Sequence, residues 1–217
     1  MLQTIDVKKS YDTVEVLRGV TVQIGEAEVV SIVGASGAGK STLLHILGTL
    51  DLPDSGQVLF DGKDVAKMKS AELARFRNRN LGFIFQFHNL LPEFTALENV
   101  MLPGLLAGNN EKKVKDRAID LLTMLGLSHR LHHKPSEMSG GEQQRTSVSR
   151  ALINSPKIIF ADEPSGNLDS KNARELHEIF FRLRADMQQT FVIVTHNDEL
   201  AAMADRRIVM HNGVLAG

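Results

Sequence analysis

Residues 34–41, GASGAGKS, limit this chain more than any other stretch of it. They fit the pattern GxxxxGK[ST] without a gap. Gly34, Gly37 and Gly39 let the backbone curl so that successive N–H groups point inward at phosphate oxygens, which bulky side chains would obstruct. Lys40 then meets the β- and γ-phosphates of a nucleotide, and the Ser41 hydroxyl coordinates Mg²⁺. The run from Thr42 to Leu47 can begin a helix whose N-terminal dipole faces the anion. Gly34, Ala35, Ser36, Gly37, Ala38, Gly39, Lys40, Ser41 and Thr42 therefore form one candidate nucleotide cradle. A glycine-rich surface turn is the alternative reading. Against it stands the nearly continuous apolar run just before the loop, EVVSIVG at 28–34, of the kind found in a strand buried on both faces.

Two more such runs lie at 158–161 and 191–195, each ending in a polar residue. In parallel α/β sheets, ligands collect beyond the ends of strands. The first run, KIIFADEP at 157–164, ends in adjacent acids. Neighbouring strand residues point in opposite directions, so the two carboxylates can do different jobs. Asp162 is placed to hold a Mg²⁺ shell, and Glu163 to accept a proton from an attacking water or to orient it. Elsewhere, Leu2, Thr4, Val20, Val22 and Ile24 alternate like half-exposed strands, and 56–61, GQVLFD, adds another. Val114, Ala118, Leu121, Leu122 and Leu125 fall at helical spacing, with Gly126 closing the helix; Ala173, Leu176, Phe180, Leu183 and Met187 form a second helical stripe. The expected architecture is a single α/β domain over 1–217. Its nucleotide-binding core spans 1–86 and 151–217, with a helical lobe inserted at 87–150.

Composition narrows the partners. A formal net charge of −1 lacks the basic footprint that a nucleic-acid binder needs. With no cysteine there is no disulfide framework, Cys-based zinc site or thiol nucleophile. The longest apolar stretch, near residues 100–108, is broken by Pro103 and Gly104 far short of a membrane span. The expected location is the cytosol, with any membrane role exerted through a partner and without direct insertion. His129, His132 and His133 cluster in LSHRLHHKP without a fourth ligand and read as a solvated loop. The basic stretch 63–79 reads as an exposed face.

One further motif moves the reading from nucleotide binding in general to a family. Residues 138–145, MSGGEQQR, resemble the signature of the ABC ATPases, although SxxE is also a helix capping box in its own right. The resemblance covers nearly the whole chain. It implies a P-loop NTPase core of the RecA type with an N-terminal antiparallel β subdomain and an inserted helical subdomain. It also implies ATP and Mg²⁺ as cofactors and a head-to-tail homodimer in which Ser139, Gly140, Gly141 and Glu142 of one copy complete the nucleotide site of the other. Gln86 is similar to the glutamine that senses the γ-phosphate and Mg²⁺, and His196 to the switch histidine on the γ-phosphate. Asn167, Leu168 and Asp169 resemble the loop that communicates across the dimer, and Tyr11 the aromatic ring that stacks on adenine. Integral membrane permeases are the implied partners, which places the chain on the cytosolic face of the inner membrane.

Within that family, LGFIFQFHNLLPEFTALENVMLP at 81–103 resembles the branch of lipoprotein-releasing ATPases. The same resemblance leaves two alternatives, export of drugs or peptides and a cell-division ATPase. Phe87, Leu90, Leu91 and Phe94 are apolar residues at the lobe junction, where the family's ATPases receive a permease helix. Met138, Glu142, Ser165 and Asn197 depart from the commoner leucine, glutamine, threonine and aspartate, and none removes a group needed for hydrolysis. If Lys40 holds the phosphates, Lys40→Ala should weaken ATP binding by at least about tenfold in titration calorimetry.

Overall fold

The computed structural model describes residues 1–216. The chain opens on a hairpin, β1 (Leu2–Tyr11) and β2 (Val14–Ile24), longer than the short strands expected there. Strand β3 (Val29–Val33) is buried at every position and leads into helix α1 (Lys40–Leu47). β4 (Ser55–Phe60) and the two-residue β5 (Lys63–Asp64) return to the hairpin, giving an antiparallel sheet ordered β2-β1-β4-β5. α2 (Ser70–Asn80), which buries Leu73 and packs Phe76 against the core, then delivers the chain to β6 (Leu81–Phe85).

Three helices follow before the chain re-enters the sheet: α3 (Ala96–Leu106), α4 (Glu111–Met124) and α5 (Gly140–Leu152). Their starts are set locally. Thr95 with Glu98, and Ser139 with Glu142, form reciprocal capping boxes, while the Asn110 side chain accepts from the Lys113 N–H. β7 (Ile158–Asp162), α6 (Ser170–Met187), β8 (Thr190–Val194), α7 (Asp198–Met203) and the hairpin β9 (Arg206–His211) and β10 (Val214–Ala216) complete the described chain.

The larger sheet runs β10-β9-β3-β8-β7-β6, parallel from β9 to β6 with β10 antiparallel at the edge. The central strands β3, β8 and β7 are buried on both faces, which is why their sequences read as continuous apolar runs. Alternate residues serve two cores. Ile158, Phe160, Val192 and Val194 pack toward α1 and the antiparallel sheet, while Ile159, Ala161, Phe191 and Ile193 pack toward the inserted helices and α6.

The structure departs from expectation at two points. Met187 ends the α6 stripe but is 41% exposed, because the buried face closes at Leu183. The hairpin of β9 and β10 was not foreseen, since only Ile208 and Met210 of its first strand are buried and the apolar alternation is correspondingly short.

Parallel pairing sets Phe85 opposite Asp162 and Asp162 opposite Val194. The three strands therefore end flush, and the loops that leave them start side by side. The Phe180 ring, fully buried, packs 5.0 Å from the Phe191 ring and joins α6 to β8. Phe180→Ala should lower stability by about 3–5 kcal/mol in chemical denaturation.

Candidate functional site

At the end of β3 the backbone must make a conformation that only glycine tolerates well. Gly34 (φ 150°) lies so close to the Met210 carbonyl that a Cβ would overlap it, and Gly39 (φ 97°) would place a Cβ 2.9 Å from the Val16 carbonyl oxygen. Gly37 (φ 77°) faces open space, so there the dihedral alone calls for glycine. The loop rests on the turn between β9 and β10, where the Gly213 N–H donates to the Ala38 carbonyl at 3.1 Å. Asn212 and Gly213 both have positive φ, and Asn-Gly between two apolar strands is the sequence signal that would have found this support. Lys40, only 6% exposed, donates from Nζ to the carbonyls of Gly34 at 3.0 Å and Ala35 at 2.9 Å.

The alternation of β7 separates its two terminal acids. Asp162 lies on the α1 side of the sheet, where it accepts from the Ser41 hydroxyl at 3.1 Å and has His45 Nε2 at 3.8 Å. Glu163 turns the other way through a left-handed φ of 46°. Its carboxylate accepts from the His196 backbone N–H at 3.1 Å and lies 3.3 Å from the His196 ring nitrogen. Gln86 donates from Nε2 to Asn167 Oδ1 at 3.1 Å, and Asn167 returns a bond to the Gln86 carbonyl at 3.2 Å. The flush strand ends thus bring Ser41, Gln86, Asp162, Glu163, Asn167 and His196 to one edge of the sheet. A hydroxyl beside a carboxylate suits Mg²⁺, which is bound through one or two protein oxygens with water and substrate phosphates supplying the rest.

Tyr11 ends β1 with its ring 45% exposed and its hydroxyl donating to Asp51 Oδ2 at 2.6 Å. That bond to Asp51 is the main cause raising the phenol above its ordinary pKa, with burial adding to it and the nearby Thr42 hydroxyl opposing. The ring is therefore anchored beside the start of α1.

Ser139, Gly140, Gly141 and Glu142 stand apart from this cluster. Among the described residues no hydrogen bond or ion pair joins them to the loop at 34–42. The two glycines pack instead against the start of α6, Gly140 near Leu168 and Gly141 so near Asn172 that a Cβ would overlap its side-chain oxygen. The side chain of Glu142 turns inward. It accepts from the Ser139 N–H at 2.8 Å and from Arg130 Nε at 2.8 Å, with His129 at 3.7 Å. His129 thus has a carboxylate neighbour that the solvated-loop reading did not provide.

Sequence reasoning missed three buried polar side chains behind the site, Asn99, Gln144 and His177. Asn99 holds the segment before α3 through Nδ2 bonds to the carbonyls of Leu91, Phe94 and Thr95, and His177 reaches the Ser165 hydroxyl at 3.1 Å. The available signal was a polar residue on an apolar helical face.

With this geometry in place, comparison with known proteins becomes specific. A model of the ABC transporter family matches residues 17–166. The chain belongs to the ABC transporter family. It is an ATP-binding, ATP-hydrolysing subunit of that family, with the α/β cassette fold expected for it. It is 58% identical to the lipoprotein-releasing system ATP-binding protein LolD of Cytophaga hutchinsonii, over 99% of this chain and 98% of that one. The protein of the same name from Porphyromonas gingivalis is 57% identical over 99% and 98%. A solved ATP-binding cassette in a dimeric post-hydrolysis state with ADP and phosphate superposes with a TM-score of 0.92 at 37% identity, covering 100% of this chain and 97% of that one.

The Glu142 carboxyl shows how firmly the start of α5 is tied to the segment before it. Burial pushes its pKa up, but the Ser139 N–H, the Arg130 guanidinium and the Ser139 hydroxyl outweigh burial and hold it at about 2. A depressed folded pKa means that the ionised group stabilises the fold at neutral pH and that this contribution fades as pH falls from about 4.5 toward about 2. Glu142→Gln should therefore melt below the parent at pH 7, with the gap in Tm closing across that window.

Proposed function

We propose that this chain is the ATPase of a lipoprotein-releasing transporter, working as a homodimer beneath integral membrane permeases on the cytosolic face of the inner membrane. The observation that carries the reading is the identity of 58% over 99% of the chain with a protein named for that system. Among the described residues no helix is long and apolar enough to cross a membrane, which fits a motor that acts through a separate permease. Residues 1–86 and 151–217 serve as the catalytic core, and 87–150 as the lobe that carries the signature and meets the permease. The exposed side chains of Phe87, Leu91 and Phe94, with the half-buried Leu90 beside them, give that junction an apolar surface.

The residues of the site divide the chemistry. Backbone N–H groups from Gly34 to Thr42 cradle the phosphates, and Lys40 exchanges the two loop carbonyls it now holds for β- and γ-phosphate oxygens. Ser41, Asp162 and Gln86 would hold Mg²⁺, which when bound neutralises charge on the phosphates. The Tyr11 ring stacks on the adenine. Ser139, Gly140 and Gly141 at the N-terminus of α5 face the γ-phosphate held by the other copy, where amide groups and the helix dipole favour an anion. Glu142 supports that face by fixing Ser139. Leu168 packs on Gly140 while Asn167 holds Gln86, so the Asn167, Leu168 and Asp169 loop links one copy's phosphate sensor to its signature surface.

Hydrolysis then needs a water in line with the β–γ bridge. Glu163 orients that water and accepts its proton as the oxygen attacks phosphorus and the bond to ADP breaks. His196 keeps Glu163 in place through its N–H and ring and braces the γ-phosphate, so that most of the catalysis is positioning and electrostatics.

Glu163→Gln should bind ATP as the parent does and accumulate as a nucleotide-trapped dimer, read by light scattering. Retention of hydrolysis near the parental rate would remove Glu163 from its role. The same variant, captured from native membranes with ATP, should bring down permeases with large periplasmic domains together with lipoproteins. Recovery of cell-division membrane proteins, or of a single exporter permease, would assign the motor to those systems instead.

A further inference from the structure

The loops that follow β6 and β7 leave the sheet side by side, and both are bent into conformations that the backbone avoids. His88, Asn89 and Glu163 have φ of 60°, 49° and 46°. Non-glycine residues stay there only when their surroundings hold them. One side chain reaches both loops. Gln144, on α5 and fully buried, donates from Nε2 to the Pro164 carbonyl at 2.7 Å and, at 3.5 Å, to the Phe85 carbonyl. Pro164 follows Glu163, and Phe85 precedes Gln86.

With the amide nitrogen committed to two carbonyls, Gln144 Oε1 is the atom that faces His88 Nδ1. An amide oxygen has no proton to give, so His88 carries its own on Nδ1 and donates it. Farther along the same helix, Arg150 donates to the carbonyls of His88 at 2.7 Å and Asn89 at 2.6 Å. The loop after Glu163 has a second anchor one residue on, where Ser165 Oγ meets His177 of α6. Pro164 and Ser165 are thus gripped by the inserted helices at one residue and by the core at the next.

We propose that Gln144 is a positioning residue for hydrolysis, fixing the Gln86 and Glu163 loops in one shared geometry and tying both to the helix that begins with the signature residues. The proposal rests on the roles given above to Glu163 and Gln86. Rotation of α5 relative to the sheet would move the Pro164 carbonyl against the Ser165 anchor, and so shift Glu163, while leaving the phosphate loop untouched. Gln144 then governs the rate of bond cleavage and not the affinity for ATP. A buried amide that merely satisfied its neighbours would affect folding stability alone.

The test uses the full chain in its purified complex with the permease, comparing Gln144→Met, His88→Ala, the double variant and Glu163→Gln. Mg-ATP affinity is measured by titration, and single-turnover hydrolysis at saturating ATP is normalised to the folded fraction. Gln144→Met keeps the shape and deletes both donors. It should bind ATP within about twofold of the parent and hydrolyse on the order of 100-fold more slowly, the scale of loss expected from a small misplacement of a catalytic group. His88→Ala should slow hydrolysis less, and the double variant should be no slower than Gln144→Met, because the two side chains act as one linked unit. A parental rate in Gln144→Met with Glu163→Gln inactive overturns the proposal alone, even if the variant melts earlier. A parental rate in Glu163→Gln overturns the reading beneath it, and the proposal with it. Should Gln144→Met not fold, His88→Ala decides, and unchanged hydrolysis there overturns the proposal.

Discussion

Everything at the site depends on the parallel register of three strands. Because Phe85, Asp162 and Val194 sit abreast, three loops far apart in sequence leave the sheet at one edge. Gln86, Glu163 and His196 then come together with no further folding step than the pairing itself. A slip of one residue in β7 would exchange that strand's two faces, sending Asp162 away from Ser41 and pressing Ile158 and Phe160 into the core shaped for Ile159 and Ala161. Two close-packed cores of different shape resist that exchange, so the packing that holds the sheet also aligns the chemistry.

Behind that edge lies a buried polar frame. Asn99, Gln144 and Arg150 turn side-chain nitrogens to loop carbonyls, and His177 Nε2 meets the Ser165 hydroxyl, holding conformations that the loops would not keep unaided. In a low-dielectric interior such bonds are strong when satisfied and costly when broken, which gives the loops a small set of allowed positions. The inserted helices take part through α5, whose N-terminus presents Ser139 and the two glycines and whose later turns grip the loops of the core. One helix therefore presents Ser139 and the two glycines at its start and holds two loops farther along.

The phosphate loop, the paired acids and the signature were legible in the sequence because each is a local pattern whose residue types follow from what the backbone must do there. Glycine at 34 and 39 is required by close approach, and Ser139 with Glu142 by a helix that must start. Gln86 and His196 were reached only through the resemblance to a family, since nothing in a lone glutamine or histidine marks its neighbours. The supporting frame escaped because His177 and Gln144 look, in one dimension, like ordinary polar residues on helices. Met187 was misread for the converse reason: its spacing is right, but the core ends one turn earlier.

By itself the sequence determined the fold class, the glycine-rich turn before α1, the adjacent acids where β7 ends and the capped start of α5, the last three set by contacts within a few residues. Tertiary structure alone decided which acid meets Ser41 and which meets His196, and it turned Glu142 inward to Arg130. It also set the Asn-Gly turn of the last hairpin under the phosphate loop and put Gln144 between two loops. Those outcomes depend on strand order and helix packing, where partners such as Arg130 and Glu142, 12 residues apart, and Ser41 and Asp162, 121 apart, meet only once the elements between them have packed.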